Sequence, residues 1–189
     1  MTEAEWLKST DPAAMLRSLT ARFTAQKRRG KTPNVKLFRL FACACCRHVW
    51  DLRDDNHRKS VEMIELYARN HQPDVLLAAR RERRAAGNQA SIDFDRLSRA
   101  SPRDRRACLV GWARLIASSA VWQAANKNPA TAANCHREVA QAVHSLRLAE
   151  GALVSGPDPG YIGYQLPAGG ELVAQAALLR EIVGNPFVS

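Results

Sequence analysis

Apolar residues recur at helical spacing from one end of this chain to the other, and no run of strand length alternates β-branched with polar side chains. That pattern leaves an all-α fold. The start and stop signals agree with it. Thr2 and Glu5 stand at capping-box spacing ahead of Trp6 and Leu7. Asp11-Pro12 sets an N-cap before a proline at the first helical position, and Met15, Leu16, Leu19 and Phe23 follow on one stripe. Gly30, inside the basic stretch from Gln26 to Thr32, ends that helix.

A third helix is expected from about Pro33 to Leu52 and a fourth, capped by Asp54 or Asp55, carries Val61, Ile64, Leu66 and Tyr67. Pro73 opens a short, very basic fifth helix ending near Gly87, with residues 88–101 as a connector. Ser101-Pro102, with Asp104 behind, starts a long helix to about Asn126. Its apolar residues, Leu109, Trp112, Leu115, Ile116, Val121 and Trp122, point all round it, which puts it in the middle of a bundle. Asn128-Pro129 turns into another helix ending near Gly151. Residues 152–170 hold three prolines and five glycines and read as a long loop. Glu171 to Val183 is the last helix, stopped by Gly184-Asn185-Pro186. The expectation is a single all-α domain over residues 1–189, a compact multi-helix bundle of about seven or eight helices with a long loop before the last.

The charge narrows the partners. Lys and Arg number 28 against 18 Asp and Glu, a formal net charge of +10. A field of that sign favours nucleic acid, phosphorylated ligands or an acidic protein. It is concentrated in two windows. Arg22 to Arg39 holds Arg22, Lys27, Arg28, Arg29, Lys31, Lys36 and Arg39 with no acid, a charge of +7. Arg80 to Arg106 holds nine arginines against Glu82, Asp93, Asp95 and Asp104, a charge of +5. The candidate nucleic-acid-binding residues are Lys27, Arg28, Arg29, Lys31, Lys36, Arg80, Arg81, Arg83 and Arg84. Two such windows on one face would form a phosphate-binding surface; apart, they would be solvated helix faces. No helix-turn-helix, zinc-finger or RNP pattern accompanies them, so binding would be backbone-driven and weakly specific.

Catalytic signatures are missing. The chain has no phosphate-loop, dinucleotide, zincin or nucleophile-elbow motif, and no Glu-x-x-His pair for a di-iron bundle. No cofactor and no catalytic residue is assigned. His136 and His144 lie about two turns apart with no acidic partner on that face and read as surface or core histidines. Asp54, three residues before His57, reads as a helix cap.

Leu37 to Trp50, with Cys43, Cys45, Cys46 and His48, is the most distinctive stretch. At about 100° per residue, Phe38, Phe41, Cys45, Val49 and Leu52 share one apolar face. Cys43 falls on the far side with Lys36, Arg39, Arg47 and Trp50, so Cys43 and Cys45 cannot bind one ion on an unbroken helix. The i,i+3 pairs Cys43 with Cys46 and Cys45 with His48 need ligands from elsewhere, such as Cys108, Cys135 or His136. No metal site is assigned; Cys45 and Cys46 read as small core residues. Cys43, between Arg39 and Arg47, is expected to be the reactive thiol where exposed. Five cysteines, three of them within four positions, make a poor disulfide framework and fit a reducing cytoplasm. The opening MTEAEWLKSTDP lacks an apolar core for secretion. The one membrane candidate, Ala107 to Ala125, carries Arg114 among alanines that cannot offset it, so no membrane association is expected.

Three stretches together, MTEAEWL at the start, RLFACACCR-x-x-W over Arg39 to Trp50, and LLR-x-I-x-GNPF over Leu178 to Phe187, resemble an uncharacterised bacterial family. The resemblance covers roughly the first 65 residues and the last 15, implies no activity and transfers no catalytic residue. The leading function is a non-enzymatic binding or accessory module for an anionic partner, nucleic acid or a nucleoprotein. The alternatives are a protein–protein interaction module with incidental charge, and a metal- or thiol-dependent protein built on the cysteine helix.

Overall fold

In a computed structural model the described residues are 1–52, 55–100, 104–126, 128, 131, 134–149 and 169–187. Among them the chain forms eight α-helices and no strand, an all-α bundle: α1 Glu3–Lys8, α2 Pro12–Arg28, α3 Lys36–Arg47, α4 Asp55–Asn70, α5 Pro73–Ala100, α6 Arg105–Ala124, α7 Cys135–Ala149 and α8 Gly169–Val183. Most of the loop expected over 152–170, like Asp54 and Ser101-Pro102, lies outside the described residues.

The caps follow from the side chains that read as caps. Glu5 N–H donates to Thr2 Oγ1 at 3.3 Å while Thr2 N–H donates to Glu5 Oε2 at 2.6 Å, closing the capping box. Asp11 Oδ1 accepts from Ala13 and Ala14 N–H at 2.8 and 3.1 Å, with Pro12 at the first helical position. Asp104 Oδ1 accepts from Ala107 N–H at 2.9 Å, so α6 starts at Arg105. Gly184, at φ +69°, ends α8 in the left-handed region that a glycine enters without strain.

Helix α6 is central: α3, α4, α5 and α7 all pack on it, and the α6–α7 pair is the most extensive. Ala113, Ala117, Ala120 and Ala124 form a fully buried small-residue stripe along α6. Without long side chains there, neighbouring backbones approach closely. Contrary to the all-round apolar reading, α6 does have an outer side: Trp112 is half-buried and Trp122 is 48% exposed.

Two other boundaries differ from expectation. The third helix breaks after Arg47, and Trp50–Leu52 is a separate 3₁₀ turn. More consequentially, α5 runs through Gly87 and through the whole of the expected connector to Ala100. The reason is tertiary. Phe94 and Leu97, at i and i+3, pack onto Gly111 of α6, where a Cβ would come within 3.3 Å of Phe94 and 3.2 Å of Leu97. Gly87 likewise lies against Ser118, 3.4 Å from where its Cβ would be. Glycine here admits a close helix crossing at a cost of about 1 kcal/mol in propensity.

The cysteine helix is buried on two faces. Phe38, Phe41 and Cys45 form the expected stripe. Helix α4 covers a second face, so Cys43 is only 1% exposed and its thiol donates to the Val61 carbonyl at 3.8 Å. The expectation of a reactive Cys43 on an exposed side is therefore corrected. Burial pushes its thiol well above the ordinary range, and Cys46 and Glu65 add to the rise. The flanking arginines are engaged elsewhere: Arg47 donates to Glu65 at 2.7 Å and Arg39 lies 5.0 Å over the Tyr67 ring. All five cysteines are buried thiols outside any disulfide. Cys45 is fully buried, so Cys45→Asp is expected to cost several kcal/mol by placing an unpaired carboxyl in the core. Chemical denaturation of that variant checks it, and native-state labelling of Cys45 at the rate of free cysteine would contradict the burial.

The two ends of the described chain pack against each other. Trp6 is fully buried, α8 packs on α2 and α3, and Arg180 Nη1 donates to the Ser9 carbonyl at 2.6 Å. Arg22 Nη2 donates to the Pro186 carbonyl at 2.7 Å and its guanidinium lies 4.0 Å over the Phe187 ring. These contacts tie the last helix to the first two.

Candidate anion-binding site

Helix α5 presents Arg80, Arg81, Arg83 and Arg84 on successive turns. Arg81 and Arg84 are exposed, whereas Arg80 and Arg83 are half-buried. Arg80 Nε donates to the Ala125 carbonyl at 2.9 Å. Beside it Arg39, 4% exposed, donates through Nη1 to the Asn126 carbonyl at 2.7 Å and to that of Ala124 at 3.4 Å. Two arginines from different windows thus cap the negative end of the central helix. Arg83 lies 5.2 Å over the Trp122 ring. Burial lowers its guanidinium below the usual arginine range, and the neighbouring charges of Arg80 and Arg84 push the same way.

No described carboxylate forms an ion pair with Arg80, Arg81, Arg83 or Arg84; Glu82, in their midst, points to Lys59 at 3.8 Å. This is a cationic cluster that no described carboxylate neutralises. The windows touch through Arg39 and Arg80, whose charges act on each other. Lys27, Arg28, Arg29 and Lys31 stand exposed at the end of α2 and the turn after it, with no ion pair to a described residue; Lys36, at the start of α3, is half-buried. No hydrogen bond or ion pair joins the α2 group to the α5 arginines.

Beside the cluster, α5, α6 and α7 enclose a cleft of about 550 Å³, lined by Arg83, Arg84, Trp112, Ser118, Trp122 and Glu138 among others. Trp112, Leu115, Ser119 and Trp122 form its α6 wall at helical spacing. Glu138 is half-buried, and burial alone raises its carboxyl above the ordinary carboxylate range. Trp112 Nε1 and Arg83 Nε are buried without an acceptor among the described residues. In sequence Trp112 and Trp122 are indistinguishable from core residues, so neither by itself announces this cleft. The available signal was the stripe of aromatic and small polar residues on α6.

Ser118 Oγ lies 2.8 Å from His57 Nε2, a nucleophile–base spacing that no local pattern around Asp54 and His57 announces. Ser118 sits mid-helix, where backbone N–H groups are committed to the helix ladder and are not free to form an oxyanion hole. The pair joins α4 to α6. No group of three or more His, Cys, Asp or Glu among the described residues is arranged to hold a metal ion, and no described helix is long and apolar enough to cross a membrane.

At the opposite end of α3, His48 Nδ1 lies 3.1 Å from Glu171 Oε1, which also accepts from Gln175 Nε2 at 2.8 Å. The hydrogen bond to Glu171 raises His48 above its ordinary value of 6.5. The folded value exceeds the unfolded one, so the stabilisation is complete below about pH 6.5 and is lost as pH rises through the folded value. His48→Gln is expected to abolish this part of the pH dependence. The check is the difference in Tm between wild type and variant from about pH 5 to pH 9; a constant difference would contradict it.

No protein family, curated protein or solved structure matches the chain.

Proposed function

We propose that this protein is a non-enzymatic binding module for an anionic partner, nucleic acid or a nucleoprotein complex. The observation that carries the reading is the α5 arginine cluster, which has no carboxylate partner among the described residues and opens beside an aromatic cleft. The charges of Arg80 and Arg84 act on Arg83, like charges repel, and the protein gains by bringing an anion to them. The exposed members, Arg81 and Arg84 on α5 and Lys27, Arg28, Arg29 and Lys31 beyond α2, are the ones able to reach phosphates. Lys36 and Arg80 contribute mainly field, the latter through a fixed position at the end of α6. Burial of all five thiols weighs against the thiol-dependent alternative.

The test is a low-salt titration with labelled duplex and single-stranded oligonucleotides, alongside the absorbance ratio at about 260 and 280 nm of freshly purified protein. Saturable binding that weakens with salt is expected. Absence of binding, or binding indifferent to salt, would replace this reading by a protein–protein module whose charge is incidental.

A further inference from the structure

We infer that the cleft between α5, α6 and α7 seats a single nucleotide, an unstacked base with its phosphate, either free or exposed in a single strand. The inference rests on the anionic-partner reading and narrows it to one ligand chemistry. Four observations converge.

The first is scale and composition. A volume of about 550 Å³ falls in the range of small-ligand sites, and the lining mixes aromatic rings with a few polar groups. The second is polarity. Arg83 and Arg84 stand on the α5 wall and Glu138 on the α7 wall. Among the described residues no ion pair joins Glu138 to Arg83 or Arg84. One wall therefore offers positive charge to a phosphate. The other offers a half-buried carboxyl able to accept from the amino group of a base.

The third observation is the ready-made platform. The Arg83 guanidinium already lies over the Trp122 ring, and Trp122 is 48% exposed. Planar arginine and tryptophan surfaces are what an unstacked base packs against, whatever its sequence. A duplex keeps its bases stacked inside and cannot deliver one into a concave cleft without extruding it. The fourth is the pair of orphan donors. Trp112 Nε1 and Arg83 Nε are buried without acceptors among the described residues, an arrangement that is costly and rare, and both side chains line the cleft.

The test uses the full chain and reads affinity by anisotropy of a labelled single strand, with adenosine monophosphate and inorganic phosphate as competitors. Trp122→Leu removes the platform while sparing the core, and far-ultraviolet circular dichroism verifies its fold. The expected result is a single-strand affinity roughly 5- to 150-fold weaker in Trp122→Leu, the loss of one base stack, with duplex affinity unchanged. Competition by adenosine monophosphate well below the concentration needed for phosphate would support the cleft as a site for a free nucleotide. Competition by neither, with the Trp122→Leu loss intact, would support a unit within a strand. Equal binding of single strand and duplex, unaffected by Trp122→Leu, would overturn the cleft inference and leave the anionic-partner reading standing. Failure of every polyanion and mononucleotide to bind at low salt would overturn both.

Discussion

Replacing Arg39 by alanine is expected to lower the unfolding free energy by about 3 kcal/mol or more, because a buried donor with several partners is removed at once. The Asn126 and Ala124 carbonyls lose their guanidinium donor at the end of α6, and the Tyr67 ring loses the cation stacked 5.0 Å above it. The side chain is 4% exposed, so water does not readily take its place, and the void left by its stem adds to the loss. For a chain of this size that loss corresponds to a Tm lower by roughly 6–12 °C. Arg39→Lys is expected to recover only part of it, since an ammonium lacks the planar guanidinium that stacks on a ring while donating to carbonyls. Arg28→Ala, at an exposed position, is expected to change stability by no more than about 0.5 kcal/mol. Equal effects of the two alanine substitutions would contradict the division of the arginines into structural and solvent-facing.

The affinity for polyanions is expected to fall about 10³-fold between roughly 50 and 200 mM salt, with about six phosphates engaged. On duplex DNA each neutralised phosphate contributes about 0.9 to the slope of log affinity against log salt, because condensed counterions are released on binding. The exposed cations of the α2 turn and of α5 number six, Lys27, Arg28, Arg29, Lys31, Arg81 and Arg84, enough for that slope. Equilibrium titration across a salt series measures it. A drop of less than tenfold would show that too few of these cations meet phosphates together.

The helices and one face of the core are legible in the sequence, and the rest is not, for a physical reason. Local signals act within a turn or two: the Thr2–Glu5 box, the Asp11 cap and the Gly184 stop all appear as read. The stripe of Phe38, Phe41 and Cys45 was legible because one helix face has one period. Whether a second face is covered depends on a neighbour, and α4 covering Cys43 has no local signature. The same holds for α5 past Gly87. A polar, glycine-containing segment reads as a connector, and only packing of Phe94 and Leu97 on Gly111 keeps it helical. The charge windows were visible, but not that Arg22, Arg39 and Arg80 would hold backbone carbonyls. Those bonds span 164, 87 and 45 residues. The cleft was hidden for the same reason. Trp122 looks apolar in sequence, and only the placement of α5 and α7 makes it a wall.

The claim that the exposed arginines of α5 meet an anionic partner is tested most directly by the salt slope of oligonucleotide binding in wild type and in a double variant, Arg81→Ser with Arg84→Ser. Both side chains are exposed and outside the core, so helix content is expected to be unchanged. The account predicts weaker binding at low salt and a slope shallower by about 0.9 for each phosphate that the variant no longer neutralises. An unchanged slope, with affinity equal to wild type at every salt concentration, would contradict it.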